Sequence, residues 1–309
     1  MSLNLDHDHE RLLSRFDSLV ASGVVTYHPS RVTEIEDHGF KFRYEITESL
    51  AGKPAAELAI RAPELTPAQL SASRPQTFGS GSDIPNAHPD LLITTINDTH
   101  LLVVNKFAVF RPHLLLLTVD SYQRQHLPLS LVDLKAARTF LTNTQDRFYV
   151  IFNCGVNAGA SRSHKHMQVL PHPDALPPTA QGWRLFPDYD PPLVSGSIPF
   201  VYFIRHFERS AVSGPELFDA YTHLLLKCRR VLNIPDDQVE CPHNVVITTK
   251  WILTIPRSKE NVDCTTANSA GMMGSVWLRN EKQLEKWMAQ GPAWVLSQLG
   301  LPAEELPGG

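Results

Sequence analysis

The stretch NCGVNAGASRSHKHMQVLPHP, residues 153–173, places His164, His166 and Gln168 at every second position behind a run of small residues. A period of two belongs to a strand, whose side chains alternate between faces. Read this way, His164, His166 and Gln168 share one face, and Lys165, Met167 and Val169 the other. Upstream, Gly155, Gly159 and Ala160 permit tight turns and close approach of a ligand to backbone N–H groups, while Ser161 and Ser163 add hydroxyl donors. Together they make a cradle for phosphate oxygens beside a pair of imidazoles.

An imidazole, with an ordinary pKa of about 6.5, is largely neutral near physiological pH and can attack phosphorus without a base first removing a proton. The phosphoramidate keeps good leaving-group character, so a second acceptor can collect the transferred group and one displacement becomes two. Such transfer asks the protein mainly for alignment and for donors to nonbridging oxygens. The same H-x-H pattern also suits a surface pair or a metal-binding pair, since neutral imidazole is the commonest metal ligand. The small residues ahead of it, and a glutamine where a third ligand would sit, weigh toward phosphate, because an amide is a poor metal ligand and a good donor.

Working outward, apolar Leu12, Leu13, Phe16, Leu19 and Val20 predict a helix closed by Gly23. FKFRYEI, residues 40–46, alternates as a half-buried strand. Residues 62–89, rich in Pro, Ser, Gly and Ala, predict a long irregular connection, and the apolar runs from Leu91, Leu101 and Leu114 an antiparallel meander. SLVD from Ser130 is a capping box opening a helix to about Thr142. RFYVIF (147–152) and PFVYFIRHF (from Pro199) predict strands, and Pro215 with Leu217, Phe218, Tyr221, Leu224 and Leu225 a helix. A hairpin follows over 244–256, turning near Thr249 and Lys250, then a strand from Ser275 and a last helix, EKQLEKWM, ended before Pro292. This order gives an α+β fold with an antiparallel sheet and flanking helices. Neither G-x-G-x-x-G nor G-x-x-x-x-G-K-[ST] occurs, so Rossmann and P-loop nucleotide sites are unsupported.

With 309 residues, 42% hydrophobic, the chain can bury a sizeable core. A net charge of −4, with both signs mixed along the sequence, offers no block for coating nucleic acid or an anionic membrane. The longest apolar runs fall far short of the roughly 20 residues that cross a bilayer. The N-terminus is acidic and polar where a secretory signal is basic then apolar. We expect no nucleic-acid or membrane partner and a cytoplasmic or nuclear location. Cys154, Cys228, Cys241 and Cys264 lie far apart without C-x-x-C pairing, against both a zinc knuckle and a disulfide framework. DHDHE, residues 6–10, reads as a solvated helix start, His172 as structural, and the tryptophans as core or pocket wall. Lys53 is either a solvated turn lysine or a cation for a polyphosphate; Arg257 and Lys259 either bind phosphate or decorate a loop.

The segment NAGASRSHKHMQ resembles the active-site segment of the histidine triad superfamily in its S-x-x-H-x-H-x-Q form. Galactose-1-phosphate uridylyltransferases and diadenosine tetraphosphate phosphorylases (ATP adenylyltransferases) share it, and the lysine between the histidines is similar to the latter branch, where the former has proline. SLAGKP (49–54), LLVVNKFAVFRPHLLLLT (101–118), TKWILTIPRSKE (249–260) and NSAGMMGSVWLRN (268–280) resemble the same branch, so the likeness covers most of the chain. It implies a histidine-triad-like catalytic part over 1–210 and a closely associated C-terminal part over 211–309 that completes the site. It further implies phosphorolysis of diadenosine tetraphosphate to ATP and ADP through an adenylyl-histidine, by a monomer, with Mg2+ or Mn2+ on the polyphosphate and no protein-bound zinc.

Residue by residue, His166 resembles the nucleophile, with His164 setting its tautomer and orientation, and Gln168 the amide that steadies the adenylyl phosphate. Gly159, Ala160, Ser161 and Arg162 match the loop along the phosphates, Asn153 an asparagine at the nucleotide, and Lys53 a polyphosphate lysine. Asn268, Ser269 and Ala270 align with a C-terminal substrate segment, where Ser275 stands in place of methionine and Arg279 in place of lysine. Ser82 and Asp83 are assigned to a further substrate contact across a gap, lacking the Asn-Pro pair of relatives. The competing readings are a sugar-1-phosphate nucleotidyltransferase and a non-catalytic nucleotide- or metal-binding protein.

Overall fold

Alternating apolar and polar residues in the small sheet, and near-continuous buried apolar runs at the centre of the large one, build this protein, whose computed structural model describes residues 5–52, 78–84, 88–176, 182–194, 196–208 and 212–303, with the backbone alone at 5–8. Lys53 and much of the 62–89 connection lie outside the described residues.

The first helix, Leu5–Ala21, buries Leu12, Phe16 and Leu19, and Gly23 at φ 74° turns the chain out of it. After the short β1 (Thr26–Tyr27), β2 (Arg31–Asp37) and β3 (Phe40–Ile46) form a hairpin. Its two-residue turn, His38 and Gly39, has positive φ at both positions, the twist-matched geometry for tight hairpins. The expected alternation in β3 holds, with Phe40, Phe42 and Tyr44 buried.

β4 (Leu92–Ile96), β5 (His100–Val104) and β7 (Leu114–Thr118) make the antiparallel meander, with β6 (Phe107–Ala108) paired to β1. The helix Leu131–Asn143 starts at Ser130 with both capping-box bonds present. Then follow β8 (Phe148–Cys154), β9 (His166–Pro171), β10 (Phe203–His206), the helix Gly214–Val231, the hairpin β11 (His243–Ile247) and β12 (Trp251–Pro256), and β13 (Ser275–Leu278). One eight-stranded sheet runs in the order β10-β12-β11-β8-β9-β7-β5-β4, every pair antiparallel. β13, β3 and β2 form a separate three-stranded sheet. The two portions read from the sequence share the large sheet, because β11 pairs with β8, and β10, before residue 210, pairs with β12.

Helices Leu131–Asn143 and Gly214–Val231 cover one face of the sheet, burying Leu134, Phe140, Tyr221 and Leu224 with Met167 and Val169. Phe40, Phe42, Tyr44, Val276 and Leu278 of the small sheet pack with Ile151, Val246 and Leu253 on the other. At the C-terminal end the structure corrects the sequence reading. The helix Glu281–Gln290 ends before Pro292, as expected, but it is not the last: after a break at Gly291, φ 83°, Pro292 occupies the first turn of another, Pro292–Leu299.

Candidate active site

β9 puts the motif's side chains where a period of two requires. Lys165 turns to the helix-covered face, its Nζ 2.9 Å from Asp133 Oδ2 and 2.7 Å from the Pro128 carbonyl. Burial alone would raise the Asp133 carboxyl, but hydrogen bonding from His100 and the Lys165 charge hold it below the ordinary carboxylate range. His166 and Gln168 turn to the opposite face and line one cleft with Ser161, Arg162, Phe78, Ile84, Leu91, Val103 and Leu115. β9 begins only at His166; His164 precedes it in an isolated bridge to Arg124.

The imidazole of His166 is held in one tautomer. Its Nδ1 lies 2.8 Å from the carbonyl of His164, which can only accept, so Nδ1 carries the proton and Nε2 the lone pair. Gln125 clamps the same residue's backbone: its Oε1 accepts from His166 N (2.7 Å), and its Nε2 donates to the carbonyls of His166 (3.0 Å) and Asn153 (2.9 Å).

His164 is fully buried, and burial pushes its pKa down to about 4. Its Nε2–H donates to the Thr118 carbonyl (2.9 Å), so Nδ1 accepts from the Ser82 hydroxyl (2.9 Å). Asp83 accepts the backbone N–H groups of Ser163 (2.7 Å) and His164 (2.9 Å). Ser82 and Asp83, expected as substrate contacts, have their side chains engaged with the motif itself, while Phe78 and Ile84 at the ends of the same segment line the cleft.

Gln168 Oε1 faces His113 Nε2 at 2.9 Å, while Val109 N–H donates to the other ring nitrogen, His113 Nδ1 (3.3 Å). His113 therefore donates to the Gln168 oxygen, and Gln168 presents its NH2 to the cleft.

Gly159 sits in the left-handed region at φ 83°, and a Cβ there would stand 2.9 Å from the Ala267 carbonyl and from Asn268 Cα. Only glycine lets the loop approach the C-terminal segment so closely. Ala160 N–H folds back on the Gly155 carbonyl (3.2 Å). Asn268 caps the short helix Ser269–Met272, in which Ala270 is buried. Ser269 donates through N (2.8 Å) and Oγ (2.6 Å) to Asn153 Oδ1. Asn244 Nδ2 adds a third donor to that oxygen (3.0 Å) and also reaches the Ala158 carbonyl (2.7 Å). Ser275 is buried and accepts from Trp277 Nε1 (3.2 Å); the Trp277 ring meets that of His113 edge-on at 5.4 Å. Arg279 is exposed past the end of β13, its backbone N–H held by Gln283 Oε1.

The fold thus gathers His166, Gln168, Ser161 and Arg162 at the cleft, keeps His164 buried behind it outside β9 and off the face the sequence predicted, and brings Asn153, Gly159, Asn268 and Ser269 together beside it. Gln125, His113 and Asn244 were not singled out from the sequence. Arg257 was, as either a phosphate binder or a loop residue; it is buried. Among the described residues no three His, Cys, Asp or Glu side chains group to hold a metal, and no helix is long and apolar enough to cross a membrane. The four cysteines are free thiols, Cys264 alone being exposed.

Residues 7–181 match the family described as Ap4A phosphorylase N-terminal domain, and residues 196–302 that described as ATP adenylyltransferase C-terminal domain. Diadenosine 5',5'''-P1,P4-tetraphosphate phosphorylase 2 of Saccharomyces cerevisiae is 28% identical over 72% of this chain and 78% of its own length. Protein APA1 of the same yeast is 28% identical over 62% of this chain and 64% of its own. The crystal structure of yeast Ap4A phosphorylase Apa2 in complex with Ap4A superposes with a TM-score of 0.70 at 22% identity, covering 95% of this chain and 97% of that one. The complex with AMP gives a TM-score of 0.70 at 20% identity, over 96% and 98%. The fold is shared along nearly the whole of both chains.

Proposed function

Because the chain belongs to the Ap4A phosphorylase family, we propose that it cleaves diadenosine tetraphosphate (Ap4A) by phosphorolysis to ATP and ADP, with the adenylyl group carried in between by His166. The observation that carries the covalent step is the bond from His166 Nδ1 to the His164 carbonyl, which puts the lone pair on Nε2.

In the first step Nε2 bonds to the α-phosphorus, the bond from that phosphorus to its bridging oxygen breaks, and ATP leaves with the electron pair. The ring becomes an adenylyl-imidazolium, and the His164 carbonyl, already accepting from Nδ1–H, stabilises the positive charge. The Gln168 NH2 is the donor for a nonbridging oxygen, fixed because its carbonyl end is occupied by His113. In the second step an oxygen of inorganic phosphate bonds to the phosphorus, the P–N bond breaks, its electrons return to Nε2, and ADP leaves. The apolar wall of Phe78, Ile84, Leu91 and Leu115 suits an adenine ring beside the imidazole.

A divalent cation would neutralise charge on the departing phosphates. With both Asp83 oxygens committed to backbone N–H groups, the polyphosphate itself is its natural seat. Incubation with Ap4A in the absence of phosphate, read by intact mass after rapid quenching, tests the scheme: the wild-type chain gains one adenylyl group and His166→Ala none. Ap4A affinity of that variant stays within about tenfold, because a transition-state group has been removed more than a binding one. Normal turnover by His166→Ala would refute the reading, and uridylyl transfer from a UDP-sugar would replace it with sugar-nucleotide chemistry.

A further inference from the structure

Behind the phosphate loop lies a cation without an anion. Arg257, just past β12, is 1% exposed. Its Nε donates to the Leu299 carbonyl (3.0 Å), Nη1 to Asn244 Oδ1 (2.7 Å) and the Ala267 carbonyl (2.9 Å), and Nη2 to the Lys259 carbonyl (3.3 Å). Every one of these acceptors is neutral, and among the described residues no carboxylate stands within ion-pair distance of the guanidinium. Burial pushes it down to about 9, which still leaves a cation at neutral pH. A buried charge with no counter-charge is costly, and such groups are normally paired.

The bonds from Arg257 lead to the site. Asn244, whose oxygen Arg257 holds, donates its NH2 to Asn153 Oδ1 (3.0 Å) and to the Ala158 carbonyl (2.7 Å), one residue before Gly159. Asn153 Oδ1 also takes the Ser269 backbone N–H, a group that can only donate, so the amide of Asn153 cannot be reversed. Its NH2 is left for a ligand on the face of β8 that aligns with Gln168, since Ile151, two residues earlier, pairs with Gln168. A hydrogen-bond chain begun by a cation polarises each later donor.

We propose that Arg257 is a positioning residue for the polyphosphate: through Asn244 it fixes Asn153 and the loop carbonyl of Ala158, and the phosphate oxyanions of the bound nucleotide supply its missing counter-charge. The inference deepens the proposed function and rests on it for the identity of the polyanion. A unit charge acting over about 10 Å at an effective dielectric of about 20 changes affinity roughly tenfold for one ligand charge at that distance, and charges farther along the polyphosphate, screened by solvent and cation, add less. A group that only braced the fold would affect neutral and charged ligands alike.

The test measures affinity for adenosine, AMP and Ap4A by calorimetry in a His166→Ala background, which prevents turnover, with Arg257→Met and Arg257→Lys added singly. Arg257→Met should weaken Ap4A about tenfold or more, AMP less, and leave adenosine within about twofold. Arg257→Lys, keeping the charge, should hold the Ap4A-to-adenosine ratio within about threefold of the background. If Arg257→Met does not fold, the lysine variant carries the test alone. Equal losses for all three ligands, unchanged Ap4A affinity in Arg257→Met, or loss of the ratio in Arg257→Lys would each overturn the proposal. Failure of the phosphorolysis reading appears separately, as the absence of adenylylation in the wild-type chain.

Discussion

Replacing Gln125 by glutamate exchanges one NH2 for oxygen in the clamp on His166 and makes stability depend on pH in a fixed direction. Gln125 Oε1 accepts from His166 N, and Nε2 donates to the carbonyls of His166 and Asn153. Glutamate keeps the acceptor, but its second oxygen can donate to only one of the two carbonyls, and to that one only as a hydroxyl. The position is 3% exposed, so ionisation would also place an anion in a low-dielectric surround. The variant's carboxyl therefore titrates in the folded protein above the ordinary glutamate value of about 4.3. The variant is most stable below that value and loses stability as pH rises, by about 1.4 kcal/mol per unit, until the folded-state pKa is passed. If the carboxyl stays protonated through neutrality, the loss near pH 7 is about 3.7 kcal/mol. Urea unfolding of both proteins from about pH 4.5 to about pH 8 measures it, with the wild-type curve subtracted so that other groups cancel. A difference that stays constant over that range would refute the donor assignment at Gln125 Nε2.

Two further outcomes follow from the same geometry. Gly159→Ala forces a side chain into the left-handed region and against backbone at 2.9 Å. It should cost at least about 1–2 kcal/mol and raise the KM for Ap4A as the loop separates from Asn268, whereas an unchanged melting temperature and KM would contradict the packing. His164 titrates at about 4 in the fold, below its ordinary 6.5, so its contribution is present above 6.5 and is lost as pH falls toward 4. His164→Gln should flatten that acid limb of the stability curve by about 3 kcal/mol, and an equally steep limb in the variant would count against a neutral, buried His164.

Much of the fold was readable because its elements announce themselves locally. The alternation in β3, the Ser130 capping box and the β11–β12 hairpin each depend on residues adjacent in the chain. The face shared by His166 and Gln168 followed from strand period alone. β2 escaped the sequence reading since it is a partly exposed edge strand with a weak apolar stripe, although the positive-φ pair His38-Gly39 was a usable signal. Pro292 misled because a proline that cannot continue one helix is well suited to begin the next. Gln125 and Asn244 carry no period or motif, and the segment that includes Arg257 does not show what the guanidinium holds; their roles exist only once distant strands close around them. The bonds of Ser82 and Asp83 to the motif were not legible, because sequence spacing does not tell which way a side chain turns.

The central position of β8 and β9 in the large sheet has a consequence for biosynthesis. A nascent chain that has emerged from the ribosome only through β9 exposes β8 as a bare, largely apolar edge, since its other neighbour, β11, is still untranslated. Such an edge invites pairing with other chains. Translation must therefore run past residue 247 before the strand that bears Asn153 is protected on both sides, and a pause in that interval exposes the growing polypeptide to aggregation.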